Sequence, residues 1–281
     1  MSGIYTAVLK THMHRIVPCQ RMVIYTTQHH SSIDARSVRI KFGIDGIQMN
    51  ECKMIIEKAL KEKRFALLLD EAQRICDLHH IPTPKSKVAL QPDAAADDAK
   101  EIGYPVVLKV ISPQILHKSD IGGVILNVRN EEEVRMGYEK LVAETQRTNP
   151  SAKILGVLVE KMMSPSTELV VGGIRDNQFG PAVMFGMGGI FTEVYNDVAF
   201  RVAPVDRIDA LNMIHGLKAS KILTGIRGKP TVDTDSIVNA IVNVSDLLLE
   251  HETISQLDLN PVIAYPTNVC AVDSRIILEG A

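Results

Sequence analysis

The sequence predicts an α/β protein built from two α+β lobes that face each other across a cleft. Two observations support this prediction. From residue 86 onward, short β-branched runs alternate with segments of helical periodicity. These elements fall into two groups, residues 86–160 and 161–281, with no repeat of solenoid length and no low-complexity tract. Two lobes of this kind typically bind a ligand in the cleft between them.

The composition excludes several classes of protein. The chain has 281 residues and a formal net charge of −2, which argues against a general nucleic-acid or membrane-binding surface. No apolar run approaches the roughly 20 residues needed to cross a bilayer. The four cysteines form no CxxC pair, so we expect reduced thiols in a cytoplasmic protein rather than a zinc site or a disulfide framework.

Residues 1–48 differ from the rest of the chain. They are basic, contain few acidic residues and show no persistent helical or strand pattern. They also lack the apolar core and cleavage site of a secretory signal. We expect either that these residues form a disordered extension, or that Met1 is an upstream start codon and translation truly begins at Met49. An organelle transit peptide is the alternative reading of this composition.

Residues 49–85 are predicted to form two helices and a connector. Apolar residues recur at helical spacing in ECKMIIEKALKEK and DEAQRICDLHH, and the prolines of IPTPK prevent a further helix. In the first lobe, residues 86–160, the pattern indicates a β, α, β, α, β-like order. Gly103 ends its first helix, and Asn130 with Glu133 forms the capping box of the next.

The second lobe, residues 161–281, is predicted to contain strands at ELVVGGI and VAFRVAPV and a strand at PAVMFGMGGIF that runs into a glycine-rich loop. The strand ILGVLVEKM, which crosses the boundary at residue 161, is predicted to be the first strand of this lobe. Asp206 caps the helix RIDALNMIHGL, and DTDSIVNAIVNVSDLLLEH is a long amphipathic helix. The segments SQLDLNPVIAY and NVCAVDSRIIL are predicted to close the chain as a strand pair around PTN.

A lysine lies inside the apolar run PVVLKVI, which is predicted to be a buried strand. A buried ammonium is unfavourable unless an anion lies against it, so Lys109 predicts a nearby anion. The following loop contains His117, Lys118 and Asp120. A neutral imidazole can accept and pass on a phosphoryl group, with Lys118 neutralising its charge and Asp120 holding the ring tautomer. The simpler reading makes His117 one solvated histidine among nine.

Oxygen ligands are predicted in the closing hairpin. If the hairpin is centred between Pro266 and Thr267, Asn260 lies opposite Asp273 and Asp258 lies opposite Arg275. Carboxylate and amide oxygens on adjacent strands suit Mg²⁺. Alternatively, Asp258 pairs with Arg275 and nothing binds.

Two further acids lie at strand ends. Glu160 ends one apolar strand and Glu168 begins the next, where a carboxylate could accept from an adenine amino group or a ribose hydroxyl. The alternative is an exposed hairpin charge. The glycines of GMGG, which are Gly186, Gly188 and Gly189, could let backbone amides approach phosphates, or could form a plain loop.

Four segments in order resemble an ATP-grasp domain: GYPVVLKVISPQILHKSDIGGV, VEKMMSPSTELVVGGIRDNQFGPAVMFGMGGIFTEV, TGIRGKP and QLDLNPV. More closely, they resemble the β subunit of ADP-forming acyl-CoA synthetases, relatives of succinyl-CoA synthetase. The resemblance covers roughly residues 50–275.

The resemblance implies a role for each matching residue. Lys109 matches the lysine that binds nucleotide phosphate, while Glu160 and Glu168 match the acids that contact the nucleotide. Asn260 and Asp273 match the magnesium ligands, and His117 matches a phosphoryl-accepting histidine. The pair Gly122 and Gly123 lies where the family has a glycine-rich phosphate-contacting stretch, although the succinyl relative differs there.

The implied function is that of the nucleotide-binding subunit in the reaction acyl-CoA + ADP + phosphate ⇌ acid + CoA + ATP. The chain would use ATP/ADP and Mg²⁺, and a CoA-binding α subunit would complete an α2β2 assembly. Two other readings remain at this stage. One is a non-catalytic ATP-grasp module of a protein acetyltransferase, and the other is a stand-alone carboxylate–amine ligase.

Overall fold

The computed structural model describes residues 46–115, 118, 122–189, 197–225 and 231–280. Its first two helices are α1 (Gly46–Lys61) and α2 (Leu69–Leu78), so the first helix begins three residues before the expected boundary at residue 49. Between them, the Arg64 guanidinium donates to both carboxylate oxygens of Glu71, at 2.7 and 2.8 Å. This bidentate ion pair fixes the turn that joins the two helices.

The first lobe is a four-stranded antiparallel sheet with two helices on one face. It consists of β1 (Ser86–Ala89), α3 (Pro92–Ile102), β2 (Val106–Ile111), β3 (Val124–Val128), α4 (Glu131–Thr148) and β4 (Gly156–Lys161). The strand order is β1-β4-β2-β3. The prediction that ILGVLVEKM belongs to the second lobe is therefore wrong, because this strand is β4 and pairs with β1 and β2. Val106 and Leu108 of β2 pack with Ala99 and Leu141 of the covering helices. Because side chains alternate along a strand, Lys109 and Ile111 lie on the opposite face.

The predicted helix ends of this lobe are confirmed. Gly103 ends α3 with a φ of +90°, a backbone conformation that glycine adopts without strain. The Asn130 side chain accepts from the Glu133 amide at 2.9 Å, as predicted, whereas the Glu133 carboxylate accepts from the Arg129 amide, one residue before the amide that a capping box uses. These ends are predictable because the signals are local in sequence.

The second lobe contains a larger antiparallel sheet. Its elements are β5 (Thr167–Asp176), β6 (Gly180–Met187), β7 (Val198–Val202), α5 (Arg207–Gly216), a 3₁₀ helix (Ser220–Thr224), α6 (Thr234–Glu250), β8 (Ile254–Ala264), β9 (Val269–Ala271) and β10 (Ser274–Leu278). The strand order is β10-β8-β5-β6-β7, with β9 also paired to β8. As predicted, the Asp206 side chain caps α5 by accepting from the Asp209 amide.

The N-terminal helices share the core of this second lobe. Cys52 and Ile56 of α1 and Ile75 of α2 belong to the same buried cluster as Leu247 of α6 and Leu257 of β8. The helices are therefore packed on the second lobe rather than forming a separate unit. Among the helices described, none is long and apolar enough to cross a membrane.

The closing hairpin has the register expected from the sequence. Arg275 pairs with Asp258, and Ala264 pairs with Val269. The Asn260 amide donates to the Asp273 carbonyl at 3.1 Å. The predicted juxtaposition of Asn260 and Asp273 is therefore confirmed at the level of the backbone.

Candidate functional site

Lys109 lies at the centre of a strand in which all six residues are buried. Its ammonium donates to Glu160 Oε1 at 2.7 Å and to the backbone oxygen of Val272 at 2.8 Å. Among the described residues, Glu160 is thus the anion that the buried lysine requires. Because Val272 lies between β9 and β10, this ammonium links the first lobe to the closing hairpin of the second.

Glu160 is the penultimate residue of β4 and pairs with Val107 of β2. The reading of Glu160 as an exposed hairpin charge is wrong, because its side chain is 0% exposed. Its Oε2 accepts from Gln73 at 2.6 Å, and Gln73 Oε1 accepts from the Ser86 hydroxyl at 2.8 Å. Burial raises the pKa of the Glu160 carboxyl, and the Lys109 ammonium opposes that rise.

Gln73 was not anticipated from the sequence. It lies in α2 and is 2% exposed, so its amide needs hydrogen-bond partners within the protein. It finds them in Glu160 and Ser86 of the first lobe. A polar residue among the apolar positions of an amphipathic helix was the available signal, but it does not identify partners that are distant in sequence.

The hairpin presents oxygen atoms beside the Lys109 contact. The Asp273 side chain is 51% exposed, and its Oδ1 lies 4.0 Å from the Lys118 ammonium. The neighbouring Asn260 is partly buried. A carboxylate and an amide on adjacent strands are hard oxygen donors of the kind that Mg²⁺ prefers, so these residues fit that ion.

Asp258 pairs with Arg275, which is one of the two alternatives that the sequence analysis gave for this residue. Its Oδ2 lies 3.6 Å from the Arg275 guanidinium. Burial raises the pKa of the Asp258 carboxyl, which the Arg275 charge opposes. The pair occupies the cross-strand position next to Asn260 and Asp273.

Lys118 belongs to the same group of charges. Burial lowers the pKa of its ammonium, and Asp273 opposes that shift. The charges of Lys109, Glu160 and Arg275 also act on Lys118. A lysine adjacent to His117 in sequence therefore lies among the charges of the two lobes. His117 itself lies outside the described residues.

The Gly122–Gly123 pair lies directly before β3 and contacts β2, where the Val110 amide donates to the Gly123 carbonyl at 3.0 Å. Gly122 has a φ of +69°, and the Gly123 amide donates to the Lys118 carbonyl at 2.7 Å. A Cβ at Gly123 would come within 2.8 Å of the Val110 side chain and 3.0 Å of the Lys118 oxygen. The close packing around Gly123 explains why a residue without a side chain is needed there. A phosphate contact for the Gly122–Gly123 pair stays a prediction.

Glu168 lies against the second glycine-rich segment. Its side chain is exposed, and its Oε2 is 3.8 Å from the position of a Cβ on Gly189. The Gly188 amide donates to the Glu168 carbonyl at 2.7 Å. Gly186 lies inside β6, paired with Val170. Gly189, the last glycine of GMGG, follows the strand and has a φ of +61°.

Comparison with known proteins identifies this arrangement. The sequence profile of the ATP-grasp domain matches residues 58–278. The chain is 46% identical over 228 residues to the β subunit of acetate–CoA ligase [ADP-forming] I from Pyrococcus furiosus, a match that covers 81% of this chain and 98% of that one. The chain belongs to the ATP-grasp β-subunit family of ADP-forming acyl-CoA synthetases. The resemblance seen in the sequence is thereby confirmed.

Solved structures of a member of this synthetase family have the same fold. Acetyl-coenzyme A synthetase 1 of Ca. Korarchaeum cryptofilum, in complex with coenzyme A, Ca-AMPCP and HgCl+, matches with a TM-score of 0.79 and 45% identity over 81% of this chain and 99% of that one. A second structure of that synthetase, with coenzyme A and Mg-AMPPCP, has its phosphohistidine segment pointing towards the nucleotide binding site (TM-score 0.73, 42% identity, covering 81% of this chain and all of that one).

Proposed function

We propose that this chain is the nucleotide-binding β subunit of an ADP-forming acyl-CoA synthetase, an acid–thiol ligase. It transfers a phosphoryl group between His117 and ADP within the reaction acyl-CoA + ADP + phosphate ⇌ acid + CoA + ATP. The family relationship supports the reaction. The arrangement of Lys109, Glu160 and Asp273 supports the assignment of roles.

The single observation that carries the assignment is the position of the Lys109 ammonium. It is held by Glu160 and by the Val272 carbonyl, directly before Asp273 in the closing hairpin. An ammonium has three N–H donors, and the contacts of Lys109 within the described residues use two of them, so we assign the third to a phosphate oxygen. A cation fixed in this way needs little reorganisation when the phosphoryl group transfers, which is what this chemistry requires of a protein.

Asp273 and Asn260 would hold Mg²⁺, which supplies charge neutralisation at the nucleotide phosphates. The Asp273 carboxylate is half-exposed, so it can bind an ion without first breaking a buried contact. The Asp258–Arg275 pair holds the neighbouring cross-strand position and keeps the two strands in register. Glu168 is the acid proposed to contact the nucleotide beyond its phosphates.

His117 is proposed to accept the phosphoryl group. In the direction of ATP formation, the P–N bond of phosphohistidine breaks, a P–O bond to the terminal phosphate of ADP forms, and the imidazole is released. Lys118 follows His117 directly, and its partly buried ammonium is suited to neutralising the negative charge of the transferred group.

The proposal includes a partner. The Pyrococcus furiosus relative is named as a subunit beta, which implies an α subunit for that protein. We propose that a CoA-binding α subunit performs the acyl chemistry here too, in an α2β2 assembly. No feature of the described residues identifies the acyl acid, because that chemistry would lie on the partner.

Phosphorylation of the purified chain tests the proposal. Incubation with γ-labelled ATP and Mg²⁺ is expected to give an acid-labile, base-stable label, which is the stability of a phosphoramidate. His117→Ala should remove the label, and His215→Ala, which changes an exposed histidine of α5, should retain it. If His117→Ala becomes labelled like the parent protein, His117 is not the phosphoryl acceptor.

A further inference from the structure

Three potential metal ligands meet in the interior at the junction of three helices. They are Cys52 of α1, His79 directly after α2, and His251 directly after α6. All three are buried, and one ligand atom from each lies within 4.8 Å of the others. None of them is a residue assigned to the nucleotide, to Mg²⁺ or to the phosphoryl group.

The two imidazoles face each other through the same ring nitrogen. His79 Nε2 lies 3.0 Å from His251 Nε2, with the rings nearly perpendicular at 81°. The other nitrogen of His79, Nδ1, faces the Glu250 carboxylate at 3.7 Å. A carboxylate behind one imidazole nitrogen, with the other nitrogen facing inward, is the usual arrangement of a metal-binding histidine.

The surroundings favour a cation at this point. His79 and His251 follow the last residues of two helices, whose carbonyl ends carry partial negative charge. Glu250 adds a carboxylate at the end of α6. Two basic residues act on the cluster, Lys53 on His251 and Arg74 on Cys52, and both are exposed, so the solvent screens their charges.

We infer that Cys52, His79 and His251 form a binding site for a thiophilic divalent cation of the Zn²⁺ type. One thiolate and two imidazoles are common ligands of zinc. Around one tetrahedral zinc, two imidazole nitrogens and one thiolate lie roughly 3.3–3.6 Å apart, so the farthest pair of ligand atoms must approach by up to about 1.2 Å. The sequence analysis did not predict this site, because its ligands are separated by 26 and 171 intervening residues rather than by a short CxxC spacing.

Metal binding at this site releases one proton. The Cys52 thiol loses its proton to solvent, and a metal–sulfur bond replaces the S–H bond. The proton shared between the two Nε2 atoms moves to an Nδ1 position, which for His79 faces Glu250. Nothing is oxidised or reduced. The ion would tie α1 to the ends of α2 and α6, so its role would be to hold the N-terminal helices on the second lobe.

Cobalt is a suitable probe because Co²⁺ replaces Zn²⁺ and gives a thiolate charge-transfer band with intense visible bands in a tetrahedral site. Residues 1–45 contain Cys19 and four histidines, which also offer ligands, so all measurements use the full chain carrying Cys19→Ser. We expect one Co²⁺ per chain with a thiolate band, displacement of Co²⁺ by Zn²⁺, and a higher unfolding temperature in Zn²⁺.

Variants of the cluster locate the binding. Cys52→Ser should remove the thiolate band. Glu250→Gln, which changes the carboxylate that faces His79 Nδ1, should weaken Co²⁺ binding roughly 10–100-fold, and His251→Gln should weaken it more. Cys270→Ser, a buried cysteine elsewhere, and His80→Asn, an exposed neighbour of His79, should bind Co²⁺ like the parent.

Two results would overturn the inference. One is the absence of a thiolate band at saturating Co²⁺ in the Cys19→Ser parent, in which the three proposed ligands are intact. The other is a band that persists in a Cys52→Ser protein with an unchanged circular dichroism spectrum. Either result would leave His79 and His251 as a hydrogen-bonded pair that joins two helix ends.

Discussion

At the scale of single residues, one ammonium serves both the fold and the proposed chemistry. Lys109 is 5% exposed and is stabilised in the interior by Glu160 and by the Val272 carbonyl. Removing one member of a buried ion pair is more damaging than removing both, because it leaves the other charge without compensation. The two roles of Lys109 can therefore be separated by changing its partner as well.

Lys109→Met is expected to destabilise the protein by about 3–5 kcal/mol, because Glu160 then stays buried without its cation. Adding Glu160→Gln should recover most of this stability but should not restore Mg-ADP binding. Urea unfolding measures the first effect and calorimetry the second. The exposed Lys87→Met is the matched control and should change neither. Recovery of Mg-ADP binding in the double variant would exclude a phosphate contact for Lys109.

Asp273→Ala is expected to weaken Mg-ADP binding by an amount on the order of 2–4 kcal/mol, because it removes the charged ligand of the proposed magnesium site. Calorimetric titration with Mg-ADP is the measurement. Glu252→Gln, an exposed carboxylate of the same lobe, serves as the control. If Asp273→Ala binds Mg-ADP normally, the ion lies elsewhere, and Asp258 becomes the next residue to change.

The sequence predicted part of this site. The pairing of Asn260 with Asp273 followed from strand alternation and turn position, which are local quantities. The Lys109–Glu160–Gln73 chain was not predicted, because it joins β2, β4 and α2 through side chains that are up to 87 residues apart. Alternation indicates which face a side chain is on, but not which element packs against that face.

At the scale of elements, the strand β5 and the segment after β6 are in unusually close contact. A Cβ on Gly188 would lie 2.8 Å from the Glu168 carbonyl carbon and 2.9 Å from its oxygen. These are backbone atoms, which cannot move aside as a flexible side chain can. The close approach lies at the strand end that carries the proposed nucleotide-contacting acid.

Gly188→Ala is therefore expected to destabilise the protein by about 1–3 kcal/mol and to weaken nucleotide binding through displacement of Glu168. Gly216→Ala is the matched control, since a Cβ there meets nothing within 4 Å. Urea unfolding and Mg-ADP titration of both variants provide the comparison. Equal stability of the two variants would mean that the backbone at Gly188 shifts without difficulty.

The ends of the helices were predicted more successfully than the short elements. The caps at Asn130 and Asp206 and the end of α3 at Gly103 depend on a few adjacent residues, and they were predicted correctly. The short 3₁₀ helix Ser220–Thr224 was not predicted, since a single turn carries no hydrophobic period. The separation of β9 from β10 was not predicted either, because the pattern of NVCAVDSRIIL predicts one strand.

At the scale of the whole molecule, the N-terminal helices are joined to the second lobe by a shared core. This association was not predicted, because the amphipathic pattern of α1 and α2 shows that each has a buried face but not what covers it. The buried His79 belongs to this junction. Burial lowers the pKa of His79 to about 3, and the neighbouring His251 and His80 act in the same direction.

A depressed histidine pKa makes the folded protein less stable as the pH decreases. Below the ordinary pKa of about 6.5, the unfolded chain takes up a proton that the folded His79 does not. We expect the stability advantage of the parent over His79→Gln, in metal-free buffer, to shrink by about 2 kcal/mol between pH 7 and pH 5. Raised carboxyl pKa values, as at Glu160 and Asp258, act in the opposite direction but are common to both proteins.

Urea unfolding at the two pH values measures this difference. His215→Gln, which changes an exposed histidine, should follow the parent at both pH values. An advantage over His79→Gln that is constant with pH would mean that His79 titrates alike in the folded and unfolded chain.

The turn of the closing hairpin has a consequence for which changes of chain length the protein can tolerate. The Tyr265 amide donates to the Asn268 carbonyl, and this two-residue connection determines which residues of β8 and β10 are opposite each other. Surface turns usually accept insertions with little loss. Here one added residue would advance one strand by a single step and turn Asp273 to the other side of the sheet from Asn260. The length of the Pro266–Thr267 turn thus determines whether the two proposed ligands, Asn260 and Asp273, lie side by side. Relatives that keep this chemistry are expected to vary the composition of this turn but not its length.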